Sequence, residues 1–265
     1  MIISVSRRTD IPRYYWDWFL GELERGETEL INPFNAHQRR MLSLLPDDVD
    51  GFVFWTRDPS RIAESAGLLG DRGYQFYVMV SITGYPSVLE PHAPDLEKVF
   101  TGLLRLRDHI GAERIFWRYD PIMLSPLIPL ADHERRYRYL AEQLHTLVSR
   151  CIISFYDPYK KSEKRLRGLD GFILVENQVR VPEAEQLVNI IAGIAHQYKI
   201  PLYSCAEPDW LSSYGIQAHA CIDGSMFGIR SEKDPHQRPF CSCDRSVDIG
   251  TYGTCQARCV YCYAW

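Results

Sequence analysis

The chain has 265 residues, of which 46% are hydrophobic and 24% are charged, and its formal net charge at pH 7 is -4. This length and composition exclude a disordered protein, and the negative charge gives no support for binding to nucleic acid or to an anionic membrane. The first residues contain only a short apolar run, too short for a secretion signal or a membrane span. We therefore expect a cytoplasmic protein without a membrane partner.

Short apolar runs alternate with helical patterns along the chain, an order typical of a parallel sheet covered by helices. The predicted strands are Ile2–Val5, Gly51–Trp55, Gln75–Ser81, Arg114–Trp117, Cys151–Phe155, Leu202–Ser204, Ala220–Ile222 and Ser246–Gly250. The predicted helices are Tyr14–Arg25, Pro59–Leu69, Asp95–Ile110, Ala131–Val148 and Pro182–Tyr198. This alternation predicts a single (β/α)8 TIM-like barrel domain over residues 1–265, with a cysteine-rich part from about 205 to 265.

Polar residues directly follow the predicted strands. Arg118 and Asp120 come after the fourth strand, and Lys160 comes after the fifth. Because the carboxyl ends of all strands meet on one face of a β/α barrel, we expect these side chains in a common pocket, as candidates for catalysis or substrate binding. For Arg118 the alternative is a buried ion pair with Asp120 or Asp157. For each Arg-Asp or Asp-Pro pair, the alternative is that the residues cap a helix or form a turn.

The chain ends with three closely spaced cysteines, Cys255, Cys259 and Cys262, in a C-x3-C-x2-C pattern. Three thiolates without a fourth in the run are what a [4Fe–4S] cluster with one open iron requires. Zinc normally takes four ligands, commonly as two separate pairs, and a redox dithiol needs only two thiols. A zinc site completed by His236 or by neighbouring cysteines and a redox pair are therefore the alternatives.

The run Thr254–Ala264, which contains Cys-Gln-Ala-Arg-Cys-Val-Tyr-Cys-Tyr, resembles the cluster motif of radical S-adenosylmethionine (radical SAM) enzymes. In that superfamily three cysteines hold three irons, and the amine and carboxylate of SAM bind the fourth. The resemblance implies an enzyme that reductively cleaves SAM to methionine and a 5′-deoxyadenosyl radical, which acts on an unknown substrate. It also implies that Tyr261 contacts adenine and that an electron donor such as flavodoxin or ferredoxin reduces the cluster.

The superfamily usually carries this loop after its first barrel strand, whereas here it lies at the C-terminal end of the chain. We interpret the order as a circular permutation in which Ser246–Gly250 is the first strand and Ile2–Val5 the second. On this layout the resemblance implies that Ser6, Arg7 and Asp10 bind the charged end of SAM.

Over its whole length the chain also resembles an uncharacterised family with this permuted layout. The residues that carry this second resemblance are Ser-Arg-Arg-Thr-Asp-Ile-Pro near the start, Phe-Trp-Thr-Arg-Asp-Pro, Trp-Arg-Tyr-Asp-Pro and the cysteine-rich tail. The resemblance to this family does not predict a particular reaction.

Four further cysteines, Cys205, Cys221, Cys241 and Cys243, are enough to ligate a second [4Fe–4S] cluster or a zinc ion. A cluster with four thiolates has no open iron and suits electron transfer. The alternative is that these residues are buried as small hydrophobic side chains. The eighth cysteine, Cys151, lies in an apolar strand and is expected to pack in the core.

The sequence leaves two alternatives to a radical SAM enzyme with an unknown substrate. One is a non-enzymatic iron–sulfur or zinc protein that senses redox state or binds a partner. The other is nucleic-acid repair chemistry, because a similar cysteine pattern occurs in spore-photoproduct-lyase relatives, although the acidic net charge does not favour it.

Overall fold

A computed structural model of the chain describes residues 1–33, 35–173, 175 and 178–265. In chain order the elements are β1 (Ile2–Val5), α1 (Ile11–Tyr14), α2 (Trp16–Arg25), β2 (Glu27–Asn32), β3 (Asn35–Ser43), β4 (Gly51–Thr56), α3 (Ser60–Asp71), β5 (Phe76–Ser81), α4 (Leu96–Ile110), β6 (Ile115–Ile122), α5 (Leu130–Leu144), β7 (Arg150–Phe155), α6 (Lys160–Leu166), α7 (Pro182–Gln197), β8 (Leu202–Ser204), β9 (Gln217–Ala218) and β10 (Val247–Asp248). Short 3-10 helices lie at 112–114, 178–180, 209–214 and 224–227.

Eight strands form one sheet in the order β10-β1-β4-β5-β6-β7-β8-β9. Every neighbouring pair in this sheet is parallel. The strands follow one another in chain order, except that the last one, β10, lies beside the first, β1. Among the described residues no pairing joins β9 to β10, so the predicted α/β class and parallel sheet are confirmed but closure into a barrel is not shown.

Side chains alternate between the two faces of this sheet, as the pleat of a strand requires. On β5, Val78 lies in the large core under the helices, whereas Tyr77 and Met79 lie in a second cluster on the opposite face. The same alternation places Cys151 in the helix-side core, fully buried, which agrees with its predicted packing role.

The face opposite the helices is covered by the segment between β9 and β10. Phe227 from this segment stacks on Tyr77 with ring centroids 5.4 Å apart. It also lies so close to β4 that a Cβ at Gly51 would come within 2.1 Å of its ring, which explains why glycine occupies this strand position. Cys205, Cys221, Cys241 and Cys243 all belong to the same apolar cluster.

Besides shifts in element bounds and the unpredicted helix α6, three features of the structure differ from the prediction. The strand expected at Ala220–Ile222 is wrong, because Cys221 and Ile222 are buried by packing on the sheet face and the ladder is formed by the exposed β9 instead. The hairpin of β2 and β3 was not predicted, because its polar run shows no apolar alternation. The helix expected over Tyr14–Arg25 begins at Trp16 as α2, and Tyr14 instead ends the separate short helix α1.

Candidate functional site

The terminal cysteine loop lies across the carboxyl ends of several strands. Val260 donates its backbone N–H to the carbonyl of Leu89, beyond β5, at 2.9 Å. Arg165 in α6, beyond β7, donates from Nε to the Val260 carbonyl at 2.9 Å and from Nη1 to the Trp265 carbonyl at 2.7 Å. Tyr263 donates its hydroxyl to the carbonyl of Arg7, beyond β1, at 2.9 Å. The loop is therefore held by residues that follow three different strands.

The three thiols of this loop pack in one apolar cluster. Cys259 is buried and Cys255 and Cys262 are partly buried, against aromatic and aliphatic side chains that include Tyr85 and Met123. Burial raises the pKa of Cys259 to about 11 and that of Cys262 to about 12. The neighbouring thiols contribute to both shifts in pKa, so Cys259 and Cys262 keep their protons at neutral pH.

The triplet fits an iron–sulfur cluster in the kind and number of its donors, since three thiols from one short loop share one apolar surrounding. Thiols must lose their protons to bind a metal, so binding here would release protons. Within the described part of the chain, no group of three or more His, Cys, Asp or Glu side chains is arranged so that it could hold a metal ion as it stands.

Tyr261, the predicted adenine contact, belongs to a buried charged network. Its hydroxyl donates to Glu90 Oε1 at 2.5 Å and accepts from Arg57 Nη1 at 3.2 Å. Arg57 and Glu90 form an ion pair whose two side chains are 11% and 1% exposed, and Thr83 Oγ1 donates to Glu90 at 2.6 Å. Arg57 and Glu90 were not among the predicted site residues, although the run Thr-Arg57-Asp-Pro after β4 was a visible signal.

Ser6 and Arg7 hold the end of β1 against β10. Asp248 Oδ1 accepts from the Ser6 hydroxyl at 2.5 Å, while Oδ2 accepts from the Ser4 hydroxyl at 2.9 Å and from the Arg7 backbone N–H at 2.8 Å. Arg7 Nε lies 3.7 Å from Asp248 Oδ2. A Cβ at Gly250 would come within 1.9 Å of the Ser6 hydroxyl, so only glycine fits beside this carboxylate. This network joins the chain's two ends directly before the cysteine loop.

Asp10 is buried and bound by backbone donors. Its Oδ1 caps α1 by accepting from the Arg13 N–H at 3.1 Å, and its Oδ2 accepts from the Arg57 N–H at 2.9 Å. Burial raises the pKa of Asp10 to about 6. The structure thus assigns this residue a local role in fixing Arg57, and its predicted contact with SAM stays a prediction.

Arg118 and Asp120 form an ion pair, the alternative that the sequence left open for Arg118. The Arg118 guanidinium lies 4.9 Å from the ring centroid of Trp55, and its Nε is buried without a hydrogen-bond partner among the described residues. Asp157 pairs instead with Arg238. Lys160 begins α6 and is exposed to solvent. Arg118, rather than Lys160, is therefore placed to meet a ligand inside the fold.

The four further cysteines lie together. Cys205 interacts directly with Cys221 and Cys241, and Cys243 interacts with the same two thiols. Hydrogen bonding within this group raises the pKa of Cys205 and Cys243 and lowers that of Cys221 and Cys241.

Glu207 is a buried carboxyl group that the sequence did not single out. It follows β8, and its Oε1 accepts from the Phe155 N–H at 2.7 Å. Burial raises the pKa of Glu207 to about 7. A carboxyl group with a pKa near neutrality is suited to exchange protons with a ligand. Its position in the run Cys-Ala-Glu after a strand was the available signal.

Residues 2–264 match the family described as a domain of unknown function, DUF1848. Because the match covers nearly the whole chain, the protein belongs to this family. No functionally curated protein matches the chain.

Two solved structures show weak similarity to the chain. A protein described as an alpha-L-fucosidase from Bacteroides thetaiotaomicron is 10% identical, with a TM-score of 0.29 and coverage of 62% of this chain and 64% of that one. The chain thus spans less than two thirds of the fucosidase. An HpcH/HpaI aldolase from Desulfitobacterium hafniense is 12% identical, with a TM-score of 0.27 and coverage of 82% and 83%.

None of the helices in the described residues has the length and apolar character needed to cross a membrane.

Proposed function

We propose that the protein is a radical SAM enzyme whose Cys255, Cys259 and Cys262 hold a [4Fe–4S] cluster. The observation that carries the proposal is the position of these three thiols in one loop that lies across the carboxyl ends of parallel strands. That is the edge at which β/α folds place their active sites. When bound and reduced, the cluster would supply the electron that splits SAM, and the 5′-deoxyadenosyl radical would take a hydrogen atom from the substrate.

We further propose that the sheet closes into a (β/α)8 barrel with a circularly permuted chain order. The strand order supports this, because the last strand, β10, pairs with β1 and the others follow in sequence around the sheet. Closure requires β9 and β10, the two short strands at the sheet's edges, to meet. In the permuted order β10 is the first barrel strand, and the cysteine loop follows it directly.

The chain's own residues have distinct tasks in this proposal. The network of Arg57, Glu90 and Tyr261 fixes the aromatic ring that precedes the third cysteine. Ser6 and Arg7, which bind Asp248, hold the start of the cysteine loop against β1. The Nε of Arg118 is buried and has no hydrogen-bond partner in the described part of the chain, so it is available to an anionic group of SAM or substrate.

The proposal is tested by spectroscopy on protein reconstituted anaerobically with iron and sulfide and reduced with dithionite. Addition of SAM should change the paramagnetic resonance spectrum of the reduced cluster in the wild type. The Cys255→Ala variant should lose this response, and Cys151→Ala, which removes a buried cysteine outside both cysteine groups, should keep it. A wild-type spectrum of an intact, reduced cluster that is unchanged by SAM would contradict the proposal.

A further inference from the structure

We propose that Cys205, Cys221, Cys241 and Cys243 form a second metal site with four thiolate ligands, separate from the terminal triplet. We refer to these residues as the four-thiol group. It would take a thiophilic centre, either a zinc ion or an iron–sulfur cluster without an open iron, since both accept four thiolates. The two cysteine groups belong to different buried clusters.

The four thiols come from three separate segments between β8 and β10. Cys205 directly follows β8 and donates its backbone N–H to the Ile153 carbonyl at 2.9 Å. The carbonyl of Cys221 accepts from the Tyr77 hydroxyl at 2.8 Å, which fixes it on the sheet face. Cys243 precedes β10. Three segments thus bring their thiols to one place, and local sequence does not account for this meeting.

Each thiol contacts two of the other three. All four residues belong to one buried apolar cluster, in which side-chain hydrogen bonds join Cys205 and Cys243 to Cys221 and Cys241. All four residues are between 2% and 6% exposed. Only soft metals and metal–sulfide clusters match a donor set made of thiolates alone.

Positive charges distinguish the four-thiol group from ordinary core packing. Arg118 interacts electrostatically with Cys205 and Cys221. Arg7 interacts with Cys221 and Cys243, and the guanidinium of Arg238 interacts with Cys241. Neutral thiols packed as small hydrophobic groups gain little from three neighbouring guanidinium groups. Four thiolates around a divalent ion or a cluster carry net negative charge, which these groups offset.

Cys151 provides the comparison inside the same molecule. It is fully buried in the helix-side core, and burial is the main cause that raises its pKa, to about 12. Among the described residues, the interactions that shift its pKa come from Tyr137 and the backbone of Tyr119, and none comes from an arginine or a second cysteine. A cysteine that only packs in this protein therefore has a different environment from the four-thiol group.

Metal binding requires a change in the four side chains. As they stand, the thiols contact one another, and the described residues contain no arrangement ready to hold an ion. Loss of their protons would replace thiol–thiol contacts by metal–sulfur bonds, as in other sites where binding and deprotonation are coupled. The metal would then join the segments that carry Cys205, Cys221 and Cys243 on the sheet face opposite the helices.

The test compares metal and sulfide content among full-length variants after reconstitution with iron and sulfide or with zinc. The triplet variant Cys255→Ala/Cys259→Ala/Cys262→Ala should retain one metal centre per chain. Cys221→Ala/Cys243→Ala, made in that background, should lower the metal affinity by at least about tenfold. Even the loss of a residue that only contacts a ligand costs about 10–100-fold in metal affinity. The Cys151→Ala control should keep the full content.

Iron with acid-labile sulfide in the triplet variant would identify a cluster, and stoichiometric zinc without sulfide would identify a zinc site. A triplet variant that binds neither would overturn the proposal. Cobalt titration of the same triplet variant checks the site without altering its ligands: a thiolate-to-cobalt absorption band that saturates at one ion per chain supports it, and no band contradicts it.

This inference does not depend on the proposed reaction. Absence of a SAM response in the wild type, with metal retained in the triplet variant, would contradict only the radical SAM proposal. A normal SAM response in the wild type with no metal in the triplet variant would contradict only the second site.

Discussion

Arg57 and Glu90 are a buried ion pair whose energy depends on both partners being present. The side chains are 11% and 1% exposed, and Glu90 also accepts hydrogen bonds from Thr83 and Tyr261. Removal of one partner of such a pair leaves the other charge buried without compensation, which costs about 3–5 kcal/mol. The network therefore fixes Tyr261 only as long as it is complete.

We expect Glu90→Ala to lower the free energy of unfolding by about 3 kcal/mol or more, because the Arg57 charge stays buried. Urea unfolding followed by circular dichroism measures the change. The matched control is Glu64→Ala, whose carboxylate is 59% exposed and lies 3.9 Å from Arg61. This surface change should cost less than about 1 kcal/mol. Equal losses of unfolding free energy in the two variants would show that burial of the Arg57–Glu90 pair does not cause the destabilisation.

At the residue scale the sequence could select individual positions, but not the partners that those residues have in the structure. Ser6, Arg7 and Asp10 were selected through the radical SAM resemblance because they follow Ile2–Val5, the second strand of the permuted order. The structure places them in buried or partly buried hydrogen-bond networks, and their contact with SAM stays a prediction. Asp248, which binds Ser6 and Arg7, was not identified. The partner is more than two hundred residues away in sequence, and only the pairing of β1 with β10 brings it near.

The short helix α6 is the element that holds the terminal loop in place. Arg165 donates three hydrogen bonds to the loop, to the carbonyls of Val260, Cys262 and Trp265. Its guanidinium also lies 4.3 Å from the Trp265 ring centroid. One side chain thus satisfies several carbonyls of a loop that forms no regular secondary structure.

Replacement of Arg165 by alanine should release this loop. Hydrogen bonds from a charged donor contribute about 1.5–3 kcal/mol each, so a net loss of about 3 kcal/mol in docking energy is a conservative expectation. Amide hydrogen exchange of residues 255–265 should then be faster by about a hundredfold. Arg167→Ala is the control, because Arg167 is 61% exposed and pairs only loosely with Glu163, at 3.7 Å. Unchanged exchange in the Arg165 variant would exclude this docking role.

Elements with strong periodicity were predicted well, and elements defined by distant contacts were not. β1 and β8 have their predicted bounds, and α4 and α7 differ from prediction by one residue at one end. The expected strand Ala220–Ile222 failed because its apolar residues pack against the sheet rather than within it. α6 was missed because Lys160–Leu166 is short and highly charged, and its stability depends on contacts with the terminal loop.

At the scale of the whole molecule, stability depends on pH. One buried histidine, His133, should contribute strongly to this dependence. His133 in α5 is fully buried, and its Nε2 donates to the Met123 carbonyl at 2.9 Å, so its Nδ1 accepts from the Tyr119 hydroxyl at 2.9 Å. This neutral tautomer leaves no site for a second proton. Burial lowers the pKa of His133 from its ordinary 6.5 to about 4.

Between these two pKa values only the unfolded chain binds a proton at His133, so stability falls as the pH falls from 6.5 towards 4. The loss from this group should approach about 3 kcal/mol. His133→Gln should lose less stability than the wild type between pH 7 and pH 4.5 in urea unfolding. His92→Gln, at an exposed position, should follow the wild type. Parallel pH profiles for the wild type and the His133 variant would exclude this role.

At the scale of the whole molecule, the α/β class and the parallel sheet followed from the alternation of apolar runs and helical patterns. The structure adds that the last strand, β10, lies beside the first, β1. Sequence alone could not show that the segment between β9 and β10 covers the sheet face opposite the helices. That arrangement depends on close contacts such as Phe227 against Gly51, which leave no local pattern.

Formation of 5′-deoxyadenosine is the measurement that tests most directly whether the terminal cysteines hold a SAM-cleaving cluster. Wild-type protein, reconstituted anaerobically and reduced with dithionite, should convert SAM to 5′-deoxyadenosine and methionine, and Cys151→Ala should do the same. Cys255→Ala should form neither product, while iron or zinc in the four-thiol group remains. The absence of 5′-deoxyadenosine from wild-type protein with an intact, reduced cluster would contradict the proposed function.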